Sequence, residues 1–531
     1  MIDVSPRRRR LSVVFAVGAA YFVVGWVVGT FAGGAPFPVG RVSRLAAWVI
    51  CGAIFVAQIA YDRTRLRRSI VHLGVGGFHR AHMAVYLDDL AQRGITSEWG
   101  ERGVGLLPGD RRMTEALMPQ DCLYTVVERS AQGDAARVVG SMSEHVFAPA
   151  APERVLDMLT DPATRIVSLT ITEGGYNVDD KTGIFDTENA AIRADVPKQA
   201  APQTVFGFVS SALARRRASG TTPFTVLSCD HLQGNGTVAR TAFVSFARMR
   251  DQGLADWIDA NVAFPNGMVD RITPQTTDAD RAMVAETFGI ADAWPVVTEP
   301  FRQWVIEDCF TDGRPPLEQV GVQIVPDVHP YETMKLRLLN ASHQAIAYLG
   351  YLAGYRYADE VMASSEFRSF ITRFMDDEVT ALLPPVPGID LTEYKRTLIE
   401  RFANPKIKDT LARLATDGSD RMPKFVLPSL SEALAQGRPH RLLTLVVAGF
   451  VRYLRGVDEQ GQPITLNDGR ADELRPLAQA SASDPRALLG RRRVFGDLGE
   501  RQAWVDELTA ALRELEQRGA RASVAAALQP A

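Results

Sequence analysis

The stretch Ser69-Ile-Val-His-Leu-Gly74-Val-Gly76-Gly77-Phe78-His79-Arg80-Ala81-His82 decides the fold class of this chain. A short apolar run typical of a buried strand leads directly into a glycine turn, and a helical pattern follows up to Gln92. Glycines at such a turn let the backbone approach a pyrophosphate, which then lies at the positive N-terminal end of the helix. Histidine occupies position 79, where the GxGxxG motif has its third glycine, so the motif alone is equally consistent with a glycine turn that binds no ligand.

Three more strand-like runs, 103–107, 165–172 and 224–229, alternate with helical stretches. This rhythm predicts a doubly wound α/β domain of the Rossmann type. The runs are followed by polar or glycine-rich sequence that includes Asp110, Glu173-Gly174 and Asp230-His231. Since the carboxyl ends of parallel strands form the ligand-binding edge of such a sheet, these residues are candidates for a cofactor site.

Asp110 is the best candidate for contacting an adenosine ribose, because a carboxylate there accepts the ribose hydroxyls and repels the additional phosphate of NADP. NAD is therefore the expected cofactor. Asp110 lies farther from the first glycine than the usual spacing of about 20 residues, so an aspartate that only forms a turn is the alternative. The candidate cofactor-binding residues are Gly74, Gly76, Gly77, Phe78, Arg80, Asp110, Glu173 and Gly174.

The segment 331–350 is predicted to be one helix, because good helix formers dominate it and glycine occurs only at its end. Apolar side chains occupy most of its faces, which is typical of a buried helix. At about 100° per residue, Lys335, Asn340 and His343 fall within an arc of roughly 140°. Their side chains can therefore reach one pocket.

These three side chains suit the oxidation of an alcohol without a metal. A lysine desolvated beside another donor can have its pKa lowered toward neutrality, and its neutral amine then accepts a hydroxyl proton. Asn340 and His343 can hold the substrate oxygen by hydrogen bonds while hydride passes to a nicotinamide. Judged without other information, such residues more commonly just pair with neighbours inside a buried helix.

The motif KxxxxNxxH, present here from Lys335 to His343, resembles the active-site signature of the polyol-specific long-chain dehydrogenases, which include mannitol 2-dehydrogenase and fructuronate reductase. The blocks 70–90, 172–177, 228–236, 264–274 and 299–310 resemble the same family in the same order. The likeness extends from about residue 61 almost to the end. It implies a Rossmann-type N-terminal domain, a mainly α-helical C-terminal domain and a monomer.

By resemblance, Lys335 is the general base, and Asn340 with His343 binds the reacting oxygen. The implied reaction is the NAD-dependent, zinc-independent interconversion of a polyol and its ketose, with D-mannitol and D-fructose as the first choice. Fructuronate reduction and the oxidation of arabinitol or sorbitol are the alternatives. A non-catalytic, membrane-tethered sugar- or nucleotide-binding protein is a further alternative, which the intact motif disfavours.

The resemblance also identifies residues that contact substrate. Asp270 and Arg413 match family positions that bind polyol hydroxyls. His231 stands where the family usually has asparagine, in the block Ser-Cys-Asp-Asn-Leu, and this departure leaves the preferred polyol open.

The whole chain has the length and composition of a multidomain globular protein. Its 531 residues exceed what one core usually holds, and we expect domains at 63–322 and 323–531 after an N-terminal segment, 1–62. The net charge of −3, without a long basic block outside the N-terminus, argues against nucleic acid as a partner. Four widely spaced cysteines predict no zinc site and fit a reducing compartment.

The N-terminal segment predicts a transmembrane helical hairpin. The runs 11–40 and 45–61 contain no charged residue, and the first exceeds the roughly 20 residues that cross a bilayer. Arginines flank the pair at 7–10 and 63–68, so the positive-inside rule places the catalytic part in the cytoplasm, anchored to the inner face of the membrane through 11–61. A signal peptide or a misassigned start codon are the alternatives.

Overall fold

The computed structural model describes residues 59–179, 182–197, 201–481 and 484–529. These residues form two compact units: the first extends to Pro326 without Ser130–Gln132, and the second comprises Ser130–Gln132 and the chain from Asp327 onward. The sequence analysis placed this boundary slightly earlier, after residue 322.

The first unit contains a series of short strands and helices. The strands are β1 (Arg68–Leu73), β2 (Gly100–Gly105), β3 (Tyr124–Ser130), β4 (Gly133–Val139), β5 (Met142–Phe147), β6 (Ile166–Leu169), β7 (Thr225–Ser228), β8 (Gly267–Asp270), β9 (Val296–Thr298), β10 (Gln303–Glu307) and β11 (Gln323–Val325). The helices are α1 (Gly77–Ala81), α2 (Met83–Gln92), α3 (Arg111–Leu117), α4 (Pro152–Thr160), α5 (Ala190–Asp195), α6 (Val205–Ser219), α7 (Asn235–Arg250), α8 (Gln252–Asn261) and α9 (Asp278–Phe288). Short 3₁₀ turns cover Arg63–Arg65, Pro108–Asp110, Met118–Gln120, Ala148–Ala150, Glu173–Tyr176 and Leu317–Val320.

The central sheet of this unit is parallel and has the order β5-β2-β1-β6-β7. The chain moves from β1 outward to β2 on one side and returns to β6 on the other, so the strand order reverses between β1 and β6. Two smaller sheets have the orders β11-β10-β8 and β4-β3-β9. The predicted Rossmann-type domain is confirmed.

Both faces of the central sheet are covered, which is why β1 is buried from Ser69 to Leu73. Val71 and Leu73 pack with helices α4, α6, α7 and α8 on one face. Ile70 points to the opposite face and packs with α2 through Tyr86 and Leu87. Alternate residues of one strand therefore join two separate cores, as the pleat requires.

The second unit is mainly helical, as predicted. Its α-helices are α10 (His329–Met334), α11 (Ala341–Leu352), α12 (Ala358–Ala363), α13 (Ser365–Arg373), α14 (Leu391–Phe402), α15 (Leu411–Leu414), α16 (Gly418–Phe425), α17 (Leu427–Gln436), α18 (Arg441–Tyr453), α19 (Ala471–Ala480), α20 (Arg486–Leu489), α21 (Arg492–Phe495) and α22 (Gln502–Ala527). α22 is interrupted at Gly519. The segments Lys335–Asn340 and Phe374–Val379 are π-helical, and Thr380–Leu382 and Leu498–Glu500 are 3₁₀ turns.

Almost all of the predicted membrane hairpin lies outside the described residues, and no helix within them is both long and apolar enough to span a bilayer. The last residues of the second apolar run are described, and they pack on the first unit. Ile59 contacts an apolar cluster that includes Val127 and Val138, and the Tyr61 hydroxyl donates to Asp88 Oδ1 at 2.7 Å. Ile59 and Tyr61, which the sequence assigned to the N-terminal segment 1–62, thus contact the first unit.

Candidate active site

The carboxyl ends of three neighbouring strands carry the candidate cofactor residues. The register aligns Leu73 of β1 with Val104 of β2 and Leu169 of β6, and Leu169 with Ser228 of β7. The segments that follow these strands therefore leave the same edge, where the strand order reverses. This is the position at which open parallel sheets bind ligands.

The glycine turn after β1 is shaped by a close backbone contact. Gly74 has φ +92°, and a Cβ atom there would lie 2.2 Å from the Thr170 carbonyl oxygen, so only glycine fits. The Thr170 hydroxyl also donates to the Gly74 carbonyl at 2.6 Å. The turn after β1 and the loop after β6 are thus held together directly.

Space beside the backbone is open at two further candidate glycines. Among the described residues, a Cβ atom at Gly76 would have one neighbour within 4 Å, the Gly74 carbonyl at 3.9 Å, and at Gly174 it would have none. Gly76 also forms the N-cap of α1. Open space of this kind beside the backbone fits the close approach of a dinucleotide pyrophosphate.

The side chains of the same turn face inward. Arg80 is fully buried, where its Nε donates to the Gly76 carbonyl at 3.3 Å and a terminal nitrogen donates to the Trp294 carbonyl at 2.5 Å. Phe78 stacks on His82 at 4.9 Å between ring centroids. Arg80 therefore supports the turn through Gly76, and the sequence motif gave no sign of this inward orientation.

Asp110 follows β2 and ends the 3₁₀ turn Pro108–Asp110. Its Oδ2 accepts the backbone N–H groups of Leu106 and Leu107 at 2.9 and 2.8 Å. A Cβ atom at Gly105 would lie 2.6 Å from the Asp110 Cβ, which places the carboxylate against the end of the strand. Both sequence interpretations of Asp110 fit this geometry, because one oxygen forms the turn and the other is not hydrogen-bonded within the described part of the chain.

His79 replaces the third glycine of the motif, and the structure shows where its side chain goes. The imidazole is buried, stacks on His72 at 3.4 Å and places Nε2 3.2 Å from Glu101 Oε2. Burial lowers the pKa of His79 to about 3 and raises the pKa of Glu101 to about 7. At neutral pH the imidazole is therefore uncharged and the contact is not an ion pair.

Two of the predicted substrate residues belong to this first unit. His231 follows β7, and its ring meets the edge of Phe78 at 4.8 Å. Asp270 ends β8 and is buried. Burial lowers the pKa of His82 to about 3, and the nearby charge of Asp270 opposes that shift. Four side chains of the first unit are therefore close to one another: Phe78, His82, His231 and Asp270.

The predicted catalytic helix is not α-helical throughout, and this corrects the sequence analysis. Between α10 and α11, Lys335–Asn340 forms a π turn, in which the Ala341 N–H donates to the Leu336 carbonyl five residues back. In a π-helix, residues five apart lie one hydrogen-bonded turn apart. Lys335 and Asn340 are therefore closer to alignment than the arc of roughly 140° expected for an α-helix. Single π turns occur frequently at functional sites.

The three side chains occupy a buried environment. Lys335 and His343 are 7% and 9% exposed, and the His343 ring lies 4.8 Å from that of Phe402. Asn340 Oδ1 is buried and accepts no hydrogen bond from the described residues. A buried carbonyl oxygen without a donor is costly, so a ligand hydroxyl is a fitting partner for it.

Arg413 lies on α15, which packs against α11 through Leu411, next to Gly350. Gln344 of α11 donates to the Leu414 carbonyl at 3.1 Å and fixes α15 on that helix. The Arg413 side chain is half-exposed and forms a bidentate pair with Asp409, with N–O distances of 2.6 and 2.5 Å. Its guanidinium is thus oriented from within its own unit.

Both units of the chain match models of known protein families. Residues 68–319 match the model of the mannitol dehydrogenase Rossmann domain, and residues 327–516 match that of the mannitol dehydrogenase C-terminal domain. The chain belongs to the mannitol dehydrogenase family. The family resemblance inferred from the sequence is confirmed.

Individual relatives agree over nearly the full length. A mannitol 2-dehydrogenase of Aspergillus fumigatus is 47% identical over 486 residues, which cover 90% of this chain and 96% of the relative. The Pseudomonas fluorescens mannitol 2-dehydrogenase, solved as a ternary complex with NAD and D-mannitol, has a TM-score of 0.80 at 44% identity, covering 89% and 96% of the two chains. A D-sorbitol dehydrogenase solved without substrate has a TM-score of 0.82 at 38% identity, covering 88% and 96%.

Proposed function

We propose that this chain is an NAD-dependent polyol dehydrogenase that interconverts D-mannitol and D-fructose. The observation that carries the proposal is the buried π turn bearing Lys335 and Asn340, with His343 one turn later, in a mannitol dehydrogenase family member. The relatives named mannitol 2-dehydrogenase and the solved complex with NAD and D-mannitol support this choice of cofactor and substrate.

In the proposed mechanism Lys335 is the general base. Its neutral amine accepts the proton of the substrate hydroxyl, and the C–H electron pair of the carbinol carbon leaves as hydride while the C–O bond becomes a carbonyl. Bound NAD supplies the hydride acceptor. In the reverse direction the Lys335 ammonium returns the proton to the ketose oxygen.

Asn340 and His343 stabilise the reacting oxygen. Negative charge develops on that oxygen as its proton leaves, and preorganised donors in a dry site lower the energy of this state. The Asn340 side chain has an amide donor for that oxygen, and its Oδ1, which is buried without a donor among the described residues, can accept a neighbouring hydroxyl. This pair takes the role that a zinc ion has in other alcohol dehydrogenases.

The cofactor is proposed to bind along the carboxyl edge of the central sheet. Gly74, Gly76 and Gly77 form the turn next to the pyrophosphate, supported from behind by Arg80. Phe78, Glu173 and Gly174 line the same edge, and Asp110 contacts the adenosine ribose. These roles fit the Asp110 oxygen that is not hydrogen-bonded within the described residues and the open space beside the backbone at Gly76 and Gly174.

His231, Asp270 and Arg413 are proposed to bind the hydroxyls of the polyol that do not react. Oxidation of D-sorbitol is the second candidate function, because a D-sorbitol dehydrogenase is as similar in fold as the mannitol enzyme and His231 replaces the usual asparagine. The test is a steady-state assay of the purified chain with NAD or NADP and a panel of D-mannitol, D-sorbitol, D-arabinitol and fructuronate. D-mannitol with NAD should give the highest kcat/KM. A higher kcat/KM with D-sorbitol would make D-sorbitol oxidation the first candidate function and D-mannitol oxidation the second.

We also propose that the apolar N-terminal segment anchors a monomeric enzyme to the cytoplasmic face of a membrane. The proposal rests on the uncharged runs and their flanking arginines. Fractionation of cells that make the native full-length chain should find the enzyme in the membrane fraction, with its N-terminus intact. A soluble protein whose mature N-terminus lies near residue 59 would overturn it.

A further inference from the structure

Thr172, in the loop after β6, has a backbone conformation that side chains with a Cβ atom rarely adopt. Its φ of +66° and ψ of 163° fall in a region that is essentially restricted to glycine. Thr172 and the next two residues, Glu173 and Gly174, are exposed. Backbone strain of this kind persists only where the surrounding structure enforces it, and it concentrates at functional sites.

The structure shows what enforces this conformation. Asp230, which follows β7 and is buried, accepts the Thr172 N–H on Oδ1 at 3.0 Å and the Ile171 N–H on Oδ2 at 3.0 Å. The Tyr176 hydroxyl donates to the same Oδ2 at 2.8 Å and lies 2.6 Å from the Ser228 hydroxyl. A carboxylate with a donor on each oxygen fixes two consecutive peptide groups at once. Charge-assisted bonds of this kind are comparable in strength to the strain they hold.

The loop that Asp230 holds is hydrogen-bonded to the glycine turn that follows β1. Thr170, two residues before the strained position, donates its hydroxyl to the Gly74 carbonyl, and its hydroxyl oxygen lies 2.8 Å from His72 Nε2. The ends of β1, β6 and β7 are therefore connected through side chains that lie behind the edge. The exposed backbone of Glu173 and Gly174 is the part left to face a ligand.

We propose that Asp230 is a positioning residue for cofactor binding, because its carboxylate holds Thr172 in the strained turn and so preorganises the backbone of Glu173 and Gly174. This inference rests on the proposed binding of NAD along this edge of the sheet. When the carboxylate is weakened, Thr172 relaxes out of the positive-φ region, and the following residues leave the place where they meet the cofactor. A glycine at position 172 does not relax in this way, since it adopts that region without strain.

The test compares four variants of the full chain by fluorescence titration with NADH and by thermal unfolding. Asp230→Asn keeps the shape but leaves only one acceptor oxygen, and it should raise the Kd for NADH about tenfold or more. Thr172→Gly alone should stay within about threefold of wild type. The double variant Asp230→Asn with Thr172→Gly should bind NADH at least about threefold more tightly than Asp230→Asn. Tyr176→Phe, the matched control, keeps both backbone bonds to Asp230 and should bind NADH within about threefold of wild type.

A second route avoids the buried position. Thr172→Pro, at an exposed site, removes the N–H that Asp230 accepts and fixes φ near −65°, so it should weaken NADH binding as Asp230→Asn does. Binding within threefold of wild type in Asp230→Asn or in Thr172→Pro would overturn the proposal. So would a double variant that binds no better than Asp230→Asn, which would assign Asp230 to general folding. If the wild-type chain itself does not bind NADH, the proposed cofactor site fails as well, and that result is distinct from the other two.

Discussion

The edge of the central sheet and the π-turn helix present their functional groups in opposite ways. Along the sheet edge the space beside the backbone is open at half-buried Gly76 and exposed Gly174, while the side chains of Arg80 and Asp230 hydrogen-bond to this backbone. On the π-turn helix the Ala341 N–H bonds within the helix, and the side chains of Lys335, Asn340 and His343 are the groups proposed to carry the chemistry. One region is therefore sensitive to anything that moves a loop, and the other to the identity of single side chains.

This difference predicts that the two regions tolerate departures from a motif differently. His79 replaces a motif glycine at the sheet edge, and the fold accommodates it by burying the ring beside Glu101. In the proposed mechanism no comparable replacement is available for Lys335, because its amine would accept the proton directly. We therefore expect substitutions on the helix to affect turnover and substitutions at the edge to affect binding or stability.

The largest effect should come from Lys335→Ala. A positioned base contributes about 10²–10⁴-fold, so kcat/KM for D-mannitol oxidation at neutral pH should fall by that factor or more. Alanine has the highest helix propensity, so the helix should remain folded and NADH should bind with nearly wild-type affinity. Oxidation by the wild type should rise with pH through one ionisation, as the ammonium loses its proton, and the variant should lack that ionisation. A folded variant that oxidises D-mannitol at nearly the wild-type rate would remove Lys335 from the mechanism.

Asn340→Ala should have the next largest effect, about 10²–10³-fold on kcat, the range seen when one oxyanion donor is lost. Arg337 gives a matched control, since it lies on the same π turn but bonds to the Leu382 carbonyl and Glu432. Arg337→Ala should lower the melting temperature and leave kcat for D-mannitol near that of wild type. Equal losses of kcat in both variants would attribute the effect to distortion of the turn.

Glu101→Gln should change stability and its dependence on pH. The pKa of Glu101 is raised by burial from 4.5 to about 7, so the folded chain keeps a proton that the unfolded chain loses above pH 4.5. The stability contributed by this group is complete below pH 4.5 and is lost as the pH rises to about 7, a change of about 3 kcal/mol. Glutamine is never charged and can still accept from Ser141. Denaturant unfolding at pH 5 and pH 8 should show that the variant loses less stability over this interval, and equal losses would contradict the shift.

The smallest effect is expected from Asp110→Asn. Asparagine keeps an oxygen for the Leu106 and Leu107 N–H groups but removes the charge that repels the NADP phosphate. The ratio of kcat/KM for NAD over NADP should fall about tenfold, roughly 1.4 kcal/mol. Asp110→Ala tests the two roles together, because it also removes the acceptor that forms the turn. An unchanged ratio in both variants would restrict Asp110 to its part in the turn.

The sequence alone determined the class of each unit and the positions of most candidate residues. The buried parallel strands β1, β6 and β7 are recognisable because each lies in a short run rich in apolar residues that is followed by glycine or polar residues. The spacing of Lys335, Asn340 and His343 placed these side chains near one another, and the family resemblance of the motif supplied the candidate chemistry. The apolar runs and the residue spacing involve residues that are close in sequence, and they can therefore be recognised from local sequence patterns.

Only the tertiary structure decided two kinds of feature: the hydrogen bonding within the π turn and the contacts that join distant parts of the chain. The π turn replaces one α-helical hydrogen bond by a wider one, and the composition of Lys335–Asn340 does not distinguish the two. The burial of Arg80 and His79 depends on Trp294 and Glu101, which are remote in sequence. The strain at Thr172 is held by Asp230, 58 residues farther along the chain. A backbone conformation enforced from another strand leaves no local pattern, since the residue that adopts it is an ordinary threonine.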